Sequence, residues 1–91
     1  VRVNLNEVLY IQSDTNLLFI HEKDRKITTR MTVSEILNIL PNDKFIRTHK
    51  SFIVSLKYVQ KIERHQVTIQ NIVIPLASSY KDELENKLLK R

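Results

Sequence analysis

The sequence predicts a mainly β, antiparallel domain with one short internal helix and one C-terminal helix. Three features lead there. Its 91 residues suit one domain, which typically has about 100–150. Short runs rich in β-branched and aromatic residues recur along the chain, separated by clusters of turn formers. Helical spacing of apolar residues appears only twice, at 32–40 and from 78 onward. Strands therefore follow strands across turns, which argues against a parallel βαβ sheet.

The elements follow in order. Val8-Leu9-Tyr10-Ile11 is a first strand, and Ser13-Asp14-Thr15-Asn16 supplies turn residues that hydrogen-bond their own backbone. Leu17-Leu18-Phe19-Ile20 is a second strand, and Glu22-Lys23-Asp24-Arg25 turns the chain into Lys26-Ile27-Thr28-Thr29-Arg30. Thr32-Val33-Ser34-Glu35 then fits a capping box, in which hydroxyl and carboxylate satisfy each other's free backbone N–H groups. Val33, Ile36, Leu37 and Leu40 recur at helical spacing until Pro41, which lacks the N–H needed to continue.

Five further β-rich segments follow: Phe45–Thr48, Phe52–Ser55, Tyr58–Ile62, Val67–Ile69 and Ile72–Ile74. Glu63–Gln66 and Gln70-Asn71 read as hairpin turns. The tail from Ser78 to Arg91 is helical, with Ser78 or Ser79 as its cap. Tyr80, Leu84 and Leu88 form one stripe, and Lys87, Lys90 and Arg91 lie at the negative end of the helix dipole.

Composition excludes several functions. Hydrophobic residues at 42% and charged residues at 27% match a folded globular domain rather than a disordered one. A chain this short buries about 60–65% of its unfolded surface, which leaves little room for a deep active site. The absence of cysteine removes disulfides, thiolate nucleophiles and cysteine-ligated metals, and points to a reducing, cytoplasmic setting. No apolar run approaches the roughly 18 residues of a membrane span, and the first residues do not form a signal peptide. A chain starting at valine is expected to be a piece of a longer protein. The absence of glycine removes phosphate-cradling and nucleophile-elbow motifs. Positive-φ positions should then fall to Asn, Asp or His.

The acid–base residues give no catalytic constellation. His21, His49 and His65 are far apart, and the carboxylates sit mostly in turns or at helix starts. No enzyme, metal or cofactor is therefore expected. Charge is more informative. The stretch 44–64 carries Lys44, Arg47, Lys50, Lys57, Lys61 and Arg64 against Glu63 alone, a net of +5 that equals the charge of the whole chain. Basic residues interleaved with apolar ones suit a polyanion such as nucleic acid. A solvated basic face is the alternative. Within the stretch, Arg47-Thr48-His49-Lys50-Ser51 is dense in donors and is pinned on both sides by apolar runs. No helix-turn-helix reading helix is apparent, so DNA reading would proceed through loops and strand ends.

Phe45-Ile46-Arg47-Thr48-His49-Lys50-Ser51-Phe52-Ile53-Val54-Ser55-Leu56 resembles the F-x-R-x-H-[RN]-S-[FY]-[IV]-V-N signature of LytTR-type DNA-binding domains. The likeness extends to the opening strand, the capped helix at Thr32–Leu40 and the closing segment Ile74–Tyr80 followed by Leu84. It implies an elongated stack of small antiparallel sheets with short helices. It also implies the C-terminal output half of a bacterial two-component response regulator, with a receiver domain outside this chain. Such domains insert loops into successive major grooves and commonly bind direct repeats as dimers. The implied partner is double-stranded DNA, with no membrane.

The same resemblance implies contacts. Lys50 falls at a base-contacting position and Ser51 at a phosphate-contacting one. In the first loop Asn16 would read a base, since its amide suits adenine, beside Thr15 on phosphate. The loop before the last helix often offers arginine in this family. Here it holds Ser78 and Ser79, with Lys81 beyond, so Ser79 takes the base position and Ser78 and Lys81 phosphate. Arg47, His49 and Lys57 complete the phosphate set, with His49 also open to a role orienting its loop. Ser55 replaces the usual asparagine. The competing expectation is a protein-interaction module whose basic surface meets an acidic partner.

Overall fold

The computed structural model describes residues 3–89. Lys90 and Arg91, expected at the end of the last helix, lie outside them. Eight strands and two α-helices follow in order: β1 (Val8–Asp14), β2 (Leu17–Glu22), β3 (Lys26–Arg30), α1 (Val33–Ile39), β4 (Phe45–His49), β5 (Phe52–Ser55), β6 (Lys61–Ile62), β7 (Gln66–Ile69), β8 (Ile72–Pro75) and α2 (Ser78–Leu89). Strands β1 to β5 form one sheet in the order β3-β2-β1-β5-β4, and β6-β7-β8 form a second. Every pairing is antiparallel.

Alternation along the strands builds two cores, one on each face of the larger sheet. Val8, Phe45 and Ile53 point to one face, where Val33, Ile36 and Leu40 of the α1 segment cover them. Their neighbours Leu9, Ile46 and Val54 point to the other, against Val67, Ile69 and Ile74 of the second sheet and Leu84 of α2. The layers are thus helix, five-stranded sheet, then three-stranded sheet with helix. The molecule measures 33 × 24 × 23 Å along its principal axes.

The capping box forms as the sequence requires. The Glu35 N–H donates to Thr32 Oγ1 at 3.1 Å, and the Thr32 N–H donates to Glu35 Oε1 at 2.9 Å. The backbone N–H of Thr32 first, and then its hydroxyl, hold the Glu35 carboxyl below its ordinary range.

Several local readings change. Tyr58–Ile62 is not one strand. Leu56–Tyr58 forms a tight 3₁₀ turn, and only Lys61–Ile62 pairs with β7. The Tyr58 hydroxyl holds that turn by donating to the Asn6 carbonyl at 2.5 Å. The first turn is shorter than expected, because Ser13 and Asp14 pair with Leu18 and Leu17. Helix α2 begins at Ser78 itself, so both serines lie in its first turn and Ala77 precedes it. Positive φ falls on Thr15 (58°) and Gln70 (55°), one residue before each asparagine. Register decides this: the partners Asp14↔Leu17 and Ile69↔Ile72 leave two-residue turns, and the twist of the strands needs positive φ at the first position whatever residue occupies it.

Candidate nucleic-acid interface

Antiparallel order brings three tips to one end of the molecule. The pair Gln12↔Phe52 sets the end of β1 beside the start of β5, and the Ser13 N–H donates to the Ser51 carbonyl at 2.8 Å. The β1–β2 turn carrying Asn16 and the β4–β5 turn carrying Lys50 therefore share an edge. The third tip joins through β4. The Ala77 N–H donates to the Thr48 carbonyl at 2.8 Å, which seats the first turn of α2, with Ser78 and Ser79, beside the Lys50 turn.

The β4–β5 turn is fixed by its own backbone. Arg47 donates from Nε to the His49 carbonyl at 3.2 Å and from Nη2 to the Lys50 carbonyl at 2.6 Å. The Ser51 N–H donates to His49 Nδ1 at 3.2 Å. The His49 ring also meets Phe52 edge-on, with centroids 5.9 Å apart. These contacts leave the Lys50 side chain exposed on a held platform. They also put the proton of a neutral His49 on Nε2, the nitrogen that could face a phosphate.

Asn16 is exposed, and its carbonyl accepts the Met31 N–H at 3.2 Å. Ser78 and Ser79 are exposed, and Lys81 is half-buried one residue past Tyr80. Two expected phosphate donors are turned elsewhere. The Thr15 hydroxyl donates to Asp14 Oδ1 at 3.3 Å, and the Arg47 guanidinium is engaged with turn carbonyls. A third, Lys57, sits at the opposite end of the sheet. Its neighbour Leu56 donates its N–H to the Lys44 carbonyl, and the Lys57 ammonium packs 5.1 Å from the Tyr58 ring centroid. At about 3.3 Å per residue along β5, that end lies roughly 15 Å from the Lys50 turn.

The basic stretch is therefore divided by folding. Lys44 and Lys57 go to the far end, and Arg47 and Lys50 to the tips. Arg30, which the sequence reading passed over, is exposed and paired with Leu17 beside Asn16. The exposed Arg64-His65 turn also lies near this end, since the His65 carbonyl accepts the Leu76 N–H at 2.9 Å. A three-strand meander makes the Arg30 position legible in principle, because the end of β3 must return to the β1–β2 turn. Among the described residues no group of three or more His, Asp or Glu could hold a metal ion, and no helix is long and apolar enough to cross a membrane.

Comparison with known proteins decides the family. The sequence pattern of the LytTr DNA-binding domain matches residues 1–89. The chain belongs to the LytTr DNA-binding domain family. It is a DNA-binding domain, not an enzyme. Among similar proteins, the sensory transduction protein LytT of Bacillus subtilis strain 168 is 27% identical over 94 residues, covering 97% of this chain and 39% of LytT. The transcriptional regulatory protein YpdB of Escherichia coli K12 is 27% identical over 59 residues, covering 65% of this chain and 24% of YpdB. The chain thus spans well under half the length of these curated relatives. A LytTr DNA-binding domain from Bacillus cereus shares the fold, with a TM-score of 0.85 at 23% identity over 97% of this chain and 86% of that one.

Proposed function

We propose that this domain binds double-stranded DNA sequence-specifically, as the output domain of a cytoplasmic bacterial response regulator controlling transcription. The receiver half would lie elsewhere in the full-length protein. The observation that carries this reading is the gathering of the Asn16, Lys50 and Ser79 tips at one end of a rigid two-sheet body. Asn16 and Lys50 would read base edges in the major groove, since an amide suits adenine and an ammonium suits guanine. Ser79 adds a weaker hydroxyl contact. Ser51, Ser78, Lys81 and His49 would hold phosphates and set the register. Thr15, Arg47 and Lys57 drop out of the phosphate set for the reasons of geometry given above. Binding as a dimer on direct repeats is part of the same proposal.

With Arg47 engaged and Lys57 at the far end, the cations at the tip end are Arg30, Lys50, Arg64 and Lys81, so about three to four phosphates per domain would be neutralised. Log K should then fall with log salt at a slope near −3 to −4. The deciding experiment is selection of bound duplexes from a random pool. Recovery of a repeated motif supports the proposal. Featureless recovery would count against base reading and favour a module that meets an acidic protein partner.

A further inference from the structure

We infer that Arg47 is a positioning residue that fixes the spacing between two reading tips, and not a phosphate ligand. The inference rests on the DNA-reading proposal only for its functional consequence. Arg47 is half-buried, and three groups surround its guanidinium. Nε and Nη2 donate to the consecutive carbonyls of His49 and Lys50, and the guanidinium carbon lies 5.7 Å from the Tyr80 ring centroid. Tyr80 belongs to the first turn of α2, immediately after Ser79, and its N–H returns to the Ala77 carbonyl at 3.0 Å. One planar side chain therefore clamps the Lys50 turn on one side and bears on the Ser78–Ser79 turn on the other.

The backbone supports the same bracket. The register of β4 against β5 shifts between Arg47 and His49, leaving Thr48 as the extra residue of a bulge. A bulged residue drops out of the ladder, and the Thr48 carbonyl is free to take the Ala77 N–H. Two independent links thus join the same two tips. A lysine could not replace the arginine. Its ammonium is a point charge without the fixed fork that spans two carbonyls and stacks on a ring. Base reading by two tips at once requires their separation to be held to a fraction of an ångström.

The test compares Arg47→Lys, Arg47→Gln and Tyr80→Leu with the unaltered domain, on the selected duplex and on random duplex, across a salt series. Thermal unfolding verifies that each variant is folded at the assay temperature. Arg47→Lys should keep the salt slope and the affinity for random DNA, yet lose about tenfold in discrimination, the size of one lost base contact. Tyr80→Leu removes no charge and should show the same loss. The Arg47→Lys/Tyr80→Leu double variant should lose little more than either single one. The inference is overturned if Arg47→Lys discriminates normally while Arg47→Gln weakens both duplexes equally and lowers the slope by about 1. If the unaltered domain shows no discrimination, the DNA-reading proposal fails, and amide hydrogen exchange then decides the bracket. Faster exchange at the amides of both Ser51 and Tyr80 in Arg47→Lys supports it, and unchanged exchange overturns it.

Discussion

The carbonyl of Thr48 accepts the backbone N–H of Ala77 at 2.8 Å, across the gap between β4 and the start of α2. These residues are far apart in sequence, and their bond sets where the final helix begins. From there α2 runs back alongside β4, and near its C-terminal end the Lys87 ammonium donates to the Asn42 carbonyl. The helix is thus anchored at both ends, with Leu84 fully buried between them.

Thr48 itself carries a testable cost. Its Oγ1 is buried without a hydrogen-bond partner. Replacing an unsatisfied hydroxyl by a methyl group of similar shape removes that cost. Thr48→Val should raise the free energy of unfolding by about 1 kcal/mol in urea denaturation. A loss of similar size would mean that the hydroxyl is satisfied after all.

Helix α2 buries a single residue fully, so its docking depends heavily on one side chain. Leu84→Ala should cost about 2–5 kcal/mol, the range for emptying a core leucine site. Chemical denaturation measures it. A cost under 1 kcal/mol would place the helix's attachment in its half-buried contacts instead.

Thr15 holds φ at 58°, a region unfavourable for a β-branched residue. Thr15→Asn should stabilise the domain by about 1 kcal/mol, read as a higher unfolding midpoint. No gain would show that the turn changes shape when Thr15 is replaced.

His21 lies stacked on Tyr10, with ring centroids 4.2 Å apart, and its Nε2 is buried without a partner. Burial first, and then the charge of Lys26, hold its pKa below the ordinary 6.5. The folded state thus favours the neutral ring. That contribution is complete above pH 6.5 and is lost as pH falls from there through the lowered folded value. His21→Phe keeps the stack and should flatten the stability–pH curve in that window. An unchanged curve would assign the pH dependence to other groups.

Lys50 and Lys57 carry the same charge seven residues apart and point to opposite ends of the sheet. Lys50→Ala should cost about 1–3 kcal/mol on the selected duplex and relax preference at one base pair. Lys57→Ala should leave both affinity and preference nearly unchanged. Competition titrations on matched and single-substituted duplexes measure the difference. Equal losses for the two variants would mean that net charge, not position, governs binding.

The capping box of α1, the β-rich segments and the donor-dense Arg47–Ser51 stretch were all legible in the sequence, because each depends on neighbours a few residues away. The break at Leu56–Tyr58 was not, since it depends on Asn6, which arrives from the other end of the chain. Nor was the fate of the basic run. Along the chain Lys44 to Arg64 is one block of positive charge, whereas antiparallel pairing sends Lys57 away from Lys50 and brings Arg30 to Asn16. Local chemistry determined which elements form and which side chains could meet DNA. Tertiary structure decided which of them share an end, because strand register and the Thr48 bulge are properties of pairs of distant segments, and no single segment encodes them.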